Sequence, residues 1–197
     1  MNTILNYMDS GRISLEKFAM MEDKPNVISW AHLNFKDMML FDFGLPVKEN
    51  DNLLSVQSKI KEIEDTFDLV MIVEHFDESI ILLKHLLCWE YSDLTSLKLN
   101  VHNEKSKSVI SDDARKRLSE WLSSDLILYK HFKEIFMKKL KDFGAVKMSE
   151  EVSKIRALNK EAEQKCPLKF VPKGKLPKNE RPWGTGVLAY KLLSKGY

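Results

Sequence analysis

The sequence Phe67-Asp68-Leu69-Val70-Met71-Ile72-Val73-Glu74-His75-Phe76-Asp77-Glu78-Ser79 changes abruptly from an apolar run to a group of acids and a histidine. A short run without polar interruption is typical of a strand that is buried on both faces, as in a parallel sheet covered by helices. Such sheets bind ligands beyond the carboxyl ends of their strands. Residues 69–73 are therefore predicted to form a central strand, with Glu74 and His75 at a ligand site.

Amphipathic patterns lie on both sides of this run. Apolar residues recur at three- and four-residue steps after an asparagine-rich cap at 50–52, which predicts a helix over about 53–66. Asp77 and Glu78 then precede a wide apolar stripe, and acids are favoured in the first turn of a helix. A second helix is predicted over about 77–89. The helix-strand-helix order is half of a parallel crossover.

Further elements follow along the chain. A second strand is predicted at 96–100. Ser111 is predicted to cap one helix, and the Ser-Ser-Asp sequence at 123–125 to cap a longer one that ends at Gly144. Residues 149–165 show helical spacing of apolar side chains among dense charges. The chain is thus predicted to be rich in helix.

Several segments resemble the galactose 3-O-sulfotransferase family. Residues 67–100 contain the family's FDLV, EHFDES, LLCWE and KLN elements in that order. Residues 39–45 are similar to its LFFDLG segment, and 125–132 to its D-x-x-LY-x-HF helix. Residues 184–191, after Cys166, are similar to a GTxxxLGY-type element, although Ala189 replaces a glycine and the spacing is one residue short. The resemblance covers most of the chain.

The resemblance implies a fold and also indicates which part of that fold the chain corresponds to. The expected fold is α/β, the helix-rich carboxyl-terminal part of a P-loop NTPase-like sulfotransferase with a parallel sheet, and residues 1–197 are expected to be a single partial domain. Family members are Golgi membrane enzymes with a lumenal domain, in which an anchor, a phosphosulfate loop and an Arg-Asp-Pro strand end come earlier. The sequence contains no G-x-x-x-x-G-K-[ST] loop and no Arg-Asp-Pro. It is therefore interpreted as an incomplete enzyme.

The resemblance also implies a reaction, sulfate transfer from 3′-phosphoadenosine 5′-phosphosulfate (PAPS) to the 3-hydroxyl of a terminal galactose on a glycolipid or glycan. This reaction needs a base and cationic groups that stabilise the developing charge. The family places both in its amino-terminal portion, so no catalytic residue is predicted here and the chain alone is expected to be inactive. The alternative is a catalytically silent helical α/β interaction protein, which would pair in a homo- or hetero-oligomer with complete family members.

Four residues are candidates for binding the galactose-bearing acceptor: Glu74, His75, Asp77 and Trp89. For Glu74 and His75, a role as helix cap and local hydrogen-bond partner is the alternative. For Asp77 and the neighbouring Glu78, a purely electrostatic role at the helix start is favoured. Trp89 offers a face for stacking a sugar ring, but a core position is favoured for it.

The carboxyl-terminal segment changes character. Residues 166–183 contain four prolines and many basic residues, which predicts a basic, proline-rich loop. By resemblance, Gly184, Thr185 and Gly186 are the candidates for binding the donor, since glycines let backbone amides approach an anion and threonine donates to a phosphate oxygen. The alternatives for this region are a solvated loop and unspecific attraction of an anionic membrane or nucleic acid by its charge.

Composition and cysteine positions limit the other function classes. The chain has 197 residues with 44% hydrophobic content, which is enough for one hydrophobic core. Its net charge of +2 is too small to indicate binding to nucleic acid. No apolar run approaches the roughly 18 residues of a membrane span, and charges within residues 1–20 exclude a signal peptide. Taken alone, the chain is expected in the cytosol. Cys88 is expected to be a buried free thiol, with a disulfide or a metal ligand as the less favoured alternatives, and no metal site is proposed.

Overall fold

The computed structural model describes residues 14–24, 27–28, 33–34, 36–96, 109–165, 168–171, 175–178 and 189–192. Seven α-helices are seen in these residues: α1 Leu15–Ala19, α2 Met38–Asp42, α3 Leu53–Thr66, α4 Phe76–Leu87, α5 Asp112–Trp121, α6 Ser123–Phe143 and α7 Ala145–Lys165. Short 3-10 turns occupy Val47–Glu49, Val73–His75 and Tyr91–Leu94. Strands β1 Val27–Ile28 and β2 Leu33–Asn34 pair antiparallel, as do β3 Leu168–Val171 and β4 Ala189–Leu192.

The chain divides into two compact units. The first unit contains the described residues up to Ile72 and those from Val109 to Asp142, and therefore α1, α2, α3, α5 and nearly all of α6. The second unit contains the described residues between Val73 and 96 and those from Phe143 onwards, and therefore α4 and α7. The division falls inside the 67–79 sequence, directly after Ile72.

The core of the first unit lies between α2, α3 and α6. Its buried side chains are Leu40, Leu45, Val56, Ile60, Ile63, Leu128 and Phe132, and Val70 and Ile135 pack against them. Their spacing along α3 follows one helical face, which is the pattern that predicted this helix. The Asn52 side chain caps α3 by accepting hydrogen bonds from the backbone N–H groups of Leu54 and Ser55. Burial and capping together explain why residues 53–66 are helical, as predicted.

A second group of contacts holds the ends of two helices of the first unit together. The Asp125 carboxylate, near the start of α6, accepts hydrogen bonds from the backbone N–H groups of Met39 and Leu40 at the start of α2, both at 3.0 Å. In return, Asp37 Oδ1 accepts a 3.0 Å hydrogen bond from the Asp125 backbone N–H. Each aspartate therefore satisfies backbone donors at the first turn of the other helix, where no intrahelical partner exists.

Other helix starts follow the sequence closely. Ser111 caps α5 by accepting from Ala114 N–H, and Gly144 separates α6 from α7 with a left-handed backbone φ of 95°. The Ser111 cap and the end of α6 at Gly144 were predicted from the sequence, and both predictions are confirmed. The predicted cap at 123–125 was wrong, because α6 already begins at Ser123 and the side chains of Ser124 and Asp125 bond to other segments. The helix predicted over 149–165 begins earlier, since α7 starts at Ala145.

The predicted parallel sheet is not present in the described part of the chain. Residues 69–72 are neither strand nor helix, and Val73 belongs to a 3-10 turn with 82% of its surface exposed. A strand exists only where neighbouring backbone supplies a hydrogen-bond ladder, and the described strands pair elsewhere. The apolar side chains of this run do not line the two faces of a sheet. Val70 packs against the core of the first unit and Ile72 is buried, whereas Met71 is exposed. The prediction of a central strand was therefore wrong, whereas a helix-rich chain is confirmed.

Other expectations depend on segments that the structure describes only in part. The strand predicted at 96–100 lies outside the described residues apart from Ser96. Within the segment 166–183, residues Leu168–Val171 form β3 and 175–178 are described. Among the described residues, no helix is both long enough and apolar enough to cross a membrane.

Candidate functional site

Three of the four predicted acceptor residues lie within one turn at the start of α4. Glu74 and His75 belong to the 3-10 turn that leads into the helix, where Glu74 is exposed and His75 is partly exposed. His75 Nδ1 lies 4.0 Å from Glu78 Oε1. The structure therefore brings Glu74, His75 and Asp77 together, although Glu74 and His75 lie in a 3-10 turn and not at the end of a strand.

Asp77 has a specific partner that the sequence did not indicate. Its Oδ2 accepts a 2.6 Å hydrogen bond from Arg156 Nε on α7, which lies 79 residues further along the chain. Because the Arg156 side chain is 68% exposed, the pair contributes little to stability. Its effect is to orient the Asp77 carboxylate at the start of α4.

Trp89 lies at the opposite end of the same helix. α4 has 12 residues, and at a rise of about 1.5 Å per residue its ends are roughly 18 Å apart, which is longer than one sugar ring. Trp89 is 41% exposed, so the favoured core position was wrong and its ring is accessible to a ligand. The four predicted acceptor residues therefore do not form one monosaccharide site.

The structure describes Cys88 but not the residues predicted to contact the donor. Cys88 is an exposed free thiol with a left-handed φ of 54° at the end of α4, so the expected burial of its thiol was wrong. A residue with a left-handed backbone that ends a helix no longer lies on the apolar face of that helix, which explains why Cys88 is exposed.

The described residues do not include Gly184, Thr185, Gly186 or Cys166. In the described part, no three His, Cys, Asp or Glu side chains are grouped so as to hold a metal ion.

A buried carboxylate, Glu151, joins α4 to α7 in the second unit. Its two oxygens lie 2.8 and 2.9 Å from His85 Nε2, and Lys84 Nζ is 3.8 Å away. Burial raises the pKa of Glu151, but hydrogen bonds from His85 and Tyr91 outweigh that effect and hold the pKa below its usual range. His85 also meets the Phe143 ring edge-on at 5.0 Å. His85 is thus a structural histidine whose Nε2 has a partner in Glu151.

Sequence reasoning missed Glu151 because its partner His85 is 66 residues away in the sequence. A usable signal was present, however. Glu151 lies next to Val152 and at helical spacing from Met148 and Ile155, which are all buried. An acid on the apolar face of a helix indicates a buried partner, since an uncompensated charge is costly there.

Replacing Glu151 by alanine is expected to lower the free energy of unfolding by about 2 kcal/mol at neutral pH, because Lys84, His85 and Tyr91 lose the buried carboxylate that they share. The contribution of Glu151 is expected to be present above pH 4.5 and to be lost as the pH falls, since its folded pKa is below the usual 4.5. Urea unfolding of Glu151→Ala at pH 7 and pH 4 measures the loss of unfolding free energy and its dependence on pH. Glu150→Ala is the matched control, as the neighbouring Glu150 is exposed.

The first unit contains an open groove of about 280 Å³. The end of α3 and the following segment form one side, and α6 forms the other. The lining residues are Glu64, Asp65, Phe67, Asp68, Val70, Phe132, Ile135 and Lys139. Phe132, Ile135 and Lys139 follow one another at three- and four-residue steps and so share one face of α6. None of these residues was among the predicted site residues.

Comparison with known proteins places the chain among sulfotransferases. The profile of the family described as Galactose-3-O-sulfotransferase matches residues 17–175. Galactosylceramide sulfotransferase from Bos taurus is 33% identical over 158 residues, which are 80% of this chain and 37% of that protein. Galactose-3-O-sulfotransferase 2 from Sus scrofa is 32% identical over 161 residues, 78% of this chain and 40% of that protein. No solved structure matches the chain.

The relatives are considerably longer than the matched region. Galactosylceramide sulfotransferase from Homo sapiens is 35% identical over 131 residues, which are 66% of this chain but 31% of that protein. The chain therefore spans less than half of the length of these relatives. The family match nevertheless covers most of the chain, including both helices around the 67–79 sequence. On this evidence, the chain belongs to the galactose-3-O-sulfotransferase family.

Proposed function

We propose that this chain supplies the acceptor-binding part of a sulfate-transfer reaction in which the acceptor ends in galactose. The observation that carries the proposal is the family match over residues 17–175. Membership of a sulfotransferase family implies a sulfate donor, which we propose is PAPS, and the 3-hydroxyl of galactose is the proposed site of transfer. The names of the relatives support galactosylceramide or another galactose-bearing molecule as acceptor.

Glu74 and His75 are proposed to contact the acceptor. Both side chains reach solvent at the start of α4, and the carboxylate accepts hydrogen bonds from sugar hydroxyls whereas imidazole donates or accepts. Asp77 is a weaker candidate, because Arg156 already occupies its Oδ2. Trp89 is proposed to stack on a separate part of the acceptor, and Gly184, Thr185 and Gly186 to contact the donor. A Golgi location and pairing with complete family members belong to the same proposal.

The expected result for the purified 197-residue chain is binding of a galactoside without sulfate transfer. Calorimetry with methyl β-galactopyranoside and with 3′-phosphoadenosine 5′-phosphate measures the two ligands, and labelled PAPS with galactosylceramide measures transfer. The sequence carries no recognisable phosphosulfate loop, and each charge-assisted contact to a donor contributes about 1.5 to 3 kcal/mol. Absence of galactoside binding contradicts the acceptor role. Micromolar nucleotide binding with transfer contradicts the division of roles between acceptor and donor parts.

Replacing Glu74 by glutamine and His75 by alanine is expected to weaken galactoside binding about fivefold to tenfold each while leaving the melting temperature within a few degrees. The reason is that an exposed side chain loses a ligand contact but few packing contacts. Glu120→Gln, which changes an exposed acid on α5, is the control. Equal loss of stability and binding would assign both residues to the structural role of capping α4.

A further inference from the structure

The floor of the first-unit groove is formed by the edge of a packed core. Phe132 is 5% exposed and belongs to the core cluster, while Val70 and Ile135 pack against that cluster from the groove side. Side chains that are fixed by close packing keep their positions when a ligand binds, so the floor is preorganised. The floor of the groove is therefore held in place by the core beneath it, and the groove is open to solvent.

Phe67 lies at the mouth of this groove with an unusually exposed ring. It follows the last residue of α3, and 49% of its surface is accessible. Its ring meets Phe43 edge-on at a centroid distance of 5.7 Å, which fixes the orientation of the ring. A fixed, exposed aromatic face is suited to stacking against the apolar C–H face of a sugar ring.

The rim of the groove is rich in hydrogen-bond acceptors. His131 Nε2 lies 2.9 Å from Glu64 Oε2, and Lys61 Nζ lies 2.6 Å from Asp65 Oδ1, so both carboxylates are oriented. Asp68 is exposed beside them. Ionised carboxylates only accept hydrogen bonds, and their natural ligands here are groups that donate, such as sugar hydroxyls. Lys139 adds one donor on the opposite side.

Charge and size narrow the class of ligand further. Three acids and one lysine line the groove, and Lys61 pairs with one of the acids, Asp65. The two remaining carboxylates, Glu64 and Asp68, outnumber Lys139 and so disfavour an anionic nucleotide such as the sulfate donor. A volume of about 280 Å³ is close to the lower end of ordinary ligand sites, roughly 300 to 1,000 Å³. The combination favours a small, neutral ligand with many hydroxyl groups and one apolar face.

We propose that this groove binds one neutral hexopyranose unit of the acceptor, stacked on Phe67 and hydrogen-bonded to Glu64, Asp65 and Asp68. The choice of galactose as that hexopyranose rests on the proposed function, whereas the class of ligand rests on the groove. The site is distinct from Glu74 and His75, because all of its lining residues belong to the first unit. It adds a subsite for sugar recognition that the sequence did not reveal.

The test is methyl-detected NMR of the isotope-labelled 197-residue chain, titrated with methyl β-galactopyranoside. We expect the signals of Val70 and Ile135 in the groove to shift with saturation, while the buried Ile81 of the second unit stays unchanged. Phe67→Ala and Asp68→Asn are each expected to weaken binding about fivefold to tenfold. Phe41→Ala is the matched control, since Phe41 is 45% exposed in the same unit but does not line the groove.

The outcomes separate this inference from the proposed function. Galactoside binding that shifts no groove signal, or that Phe67→Ala and Asp68→Asn leave unchanged, overturns the groove assignment while leaving the acceptor role intact. Absence of binding to the unsubstituted chain overturns both. Groove shifts with methyl glucopyranoside as well as the galactoside, but with none on addition of 3′-phosphoadenosine 5′-phosphate, support the groove as a site for neutral sugars. Groove shifts with that nucleotide alone contradict the charge argument.

Discussion

Replacing Asp125 by alanine is expected to lower the free energy of unfolding by about 3 kcal/mol, because two backbone N–H groups at the start of α2 lose their acceptor. Those donors, on Met39 and Leu40, reach separate oxygens of the same carboxylate, both at 3.0 Å. Leu40 is fully buried in the core of the first unit. Water therefore cannot readily replace the lost hydrogen bond, and urea unfolding at pH 6 measures the cost.

Two further variants make this result specific. Asp125→Asn keeps the shape of the side chain but has only one accepting oxygen, so a loss of about half that of alanine is expected. Glu134→Ala changes an exposed acid on the same helix and is expected to stay within about 0.5 kcal/mol of the unsubstituted chain. If Asp125→Ala were as mild as Glu134→Ala, the mutual capping of α2 and α6 would not stabilise the first unit.

The stability of the chain is expected to include a contribution from Asp37 that disappears as the pH rises through about 6. Asp37 is fully buried, and burial is the main cause that raises its pKa from 3.8 to about 6. The hydrogen bond from the Asp125 backbone N–H and the charge of Lys36 oppose this increase, whereas the charge of Asp125 adds to it. Its Oδ2 is buried without a donor among the described residues, which further favours the protonated form. Asn50 Oδ1 is a second buried acceptor that receives no hydrogen bond from the described residues.

The direction of this pH dependence of stability follows from proton linkage. A carboxyl group whose pKa is higher in the folded state than in the unfolded state binds its proton more tightly when folded. The stabilisation is therefore complete below pH 3.8 and is lost as the pH rises through about 6. One pKa unit corresponds to about 1.4 kcal/mol, so the contribution of Asp37 amounts to at most about 3 kcal/mol. The raised pKa of Asp125, also caused first by burial, acts in the same direction.

Asp37→Asn isolates this contribution. The amide resembles the protonated acid, and asparagine tolerates the left-handed backbone of position 37, where φ is 48°. We expect the unfolding free energy of the variant to change less between pH 5 and pH 7.5 than that of the unsubstituted chain. The exposed Asp113→Asn is the control for charge removal. An identical pH dependence in the unsubstituted chain and in Asp37→Asn would mean that Asp37 is ionised throughout this range.

Local chemistry in the sequence was enough to predict most helices. Asn52 and Ser111 carry side chains that satisfy the first N–H groups of α3 and α5, and Gly144 accommodates the left-handed backbone between α6 and α7. These effects act over a few residues and need no distant partner, so they are visible in the sequence. The family elements in residues 67–100 likewise predicted the family, which the comparisons confirmed.

Contacts between distant residues decided the rest. Residues 69–72 have the composition of a buried strand, but strand formation depends on a neighbouring ladder, and Val70 packs against a helical core instead. The partnership of Glu151 with His85, the paired capping by Asp37 and Asp125, and the groove beside Phe67 each join residues more than 60 positions apart. Hydrogen bonds and burial at such separations are set by how helices pack. A local pattern can indicate that a residue such as Glu151 has a buried partner, but it does not identify that partner.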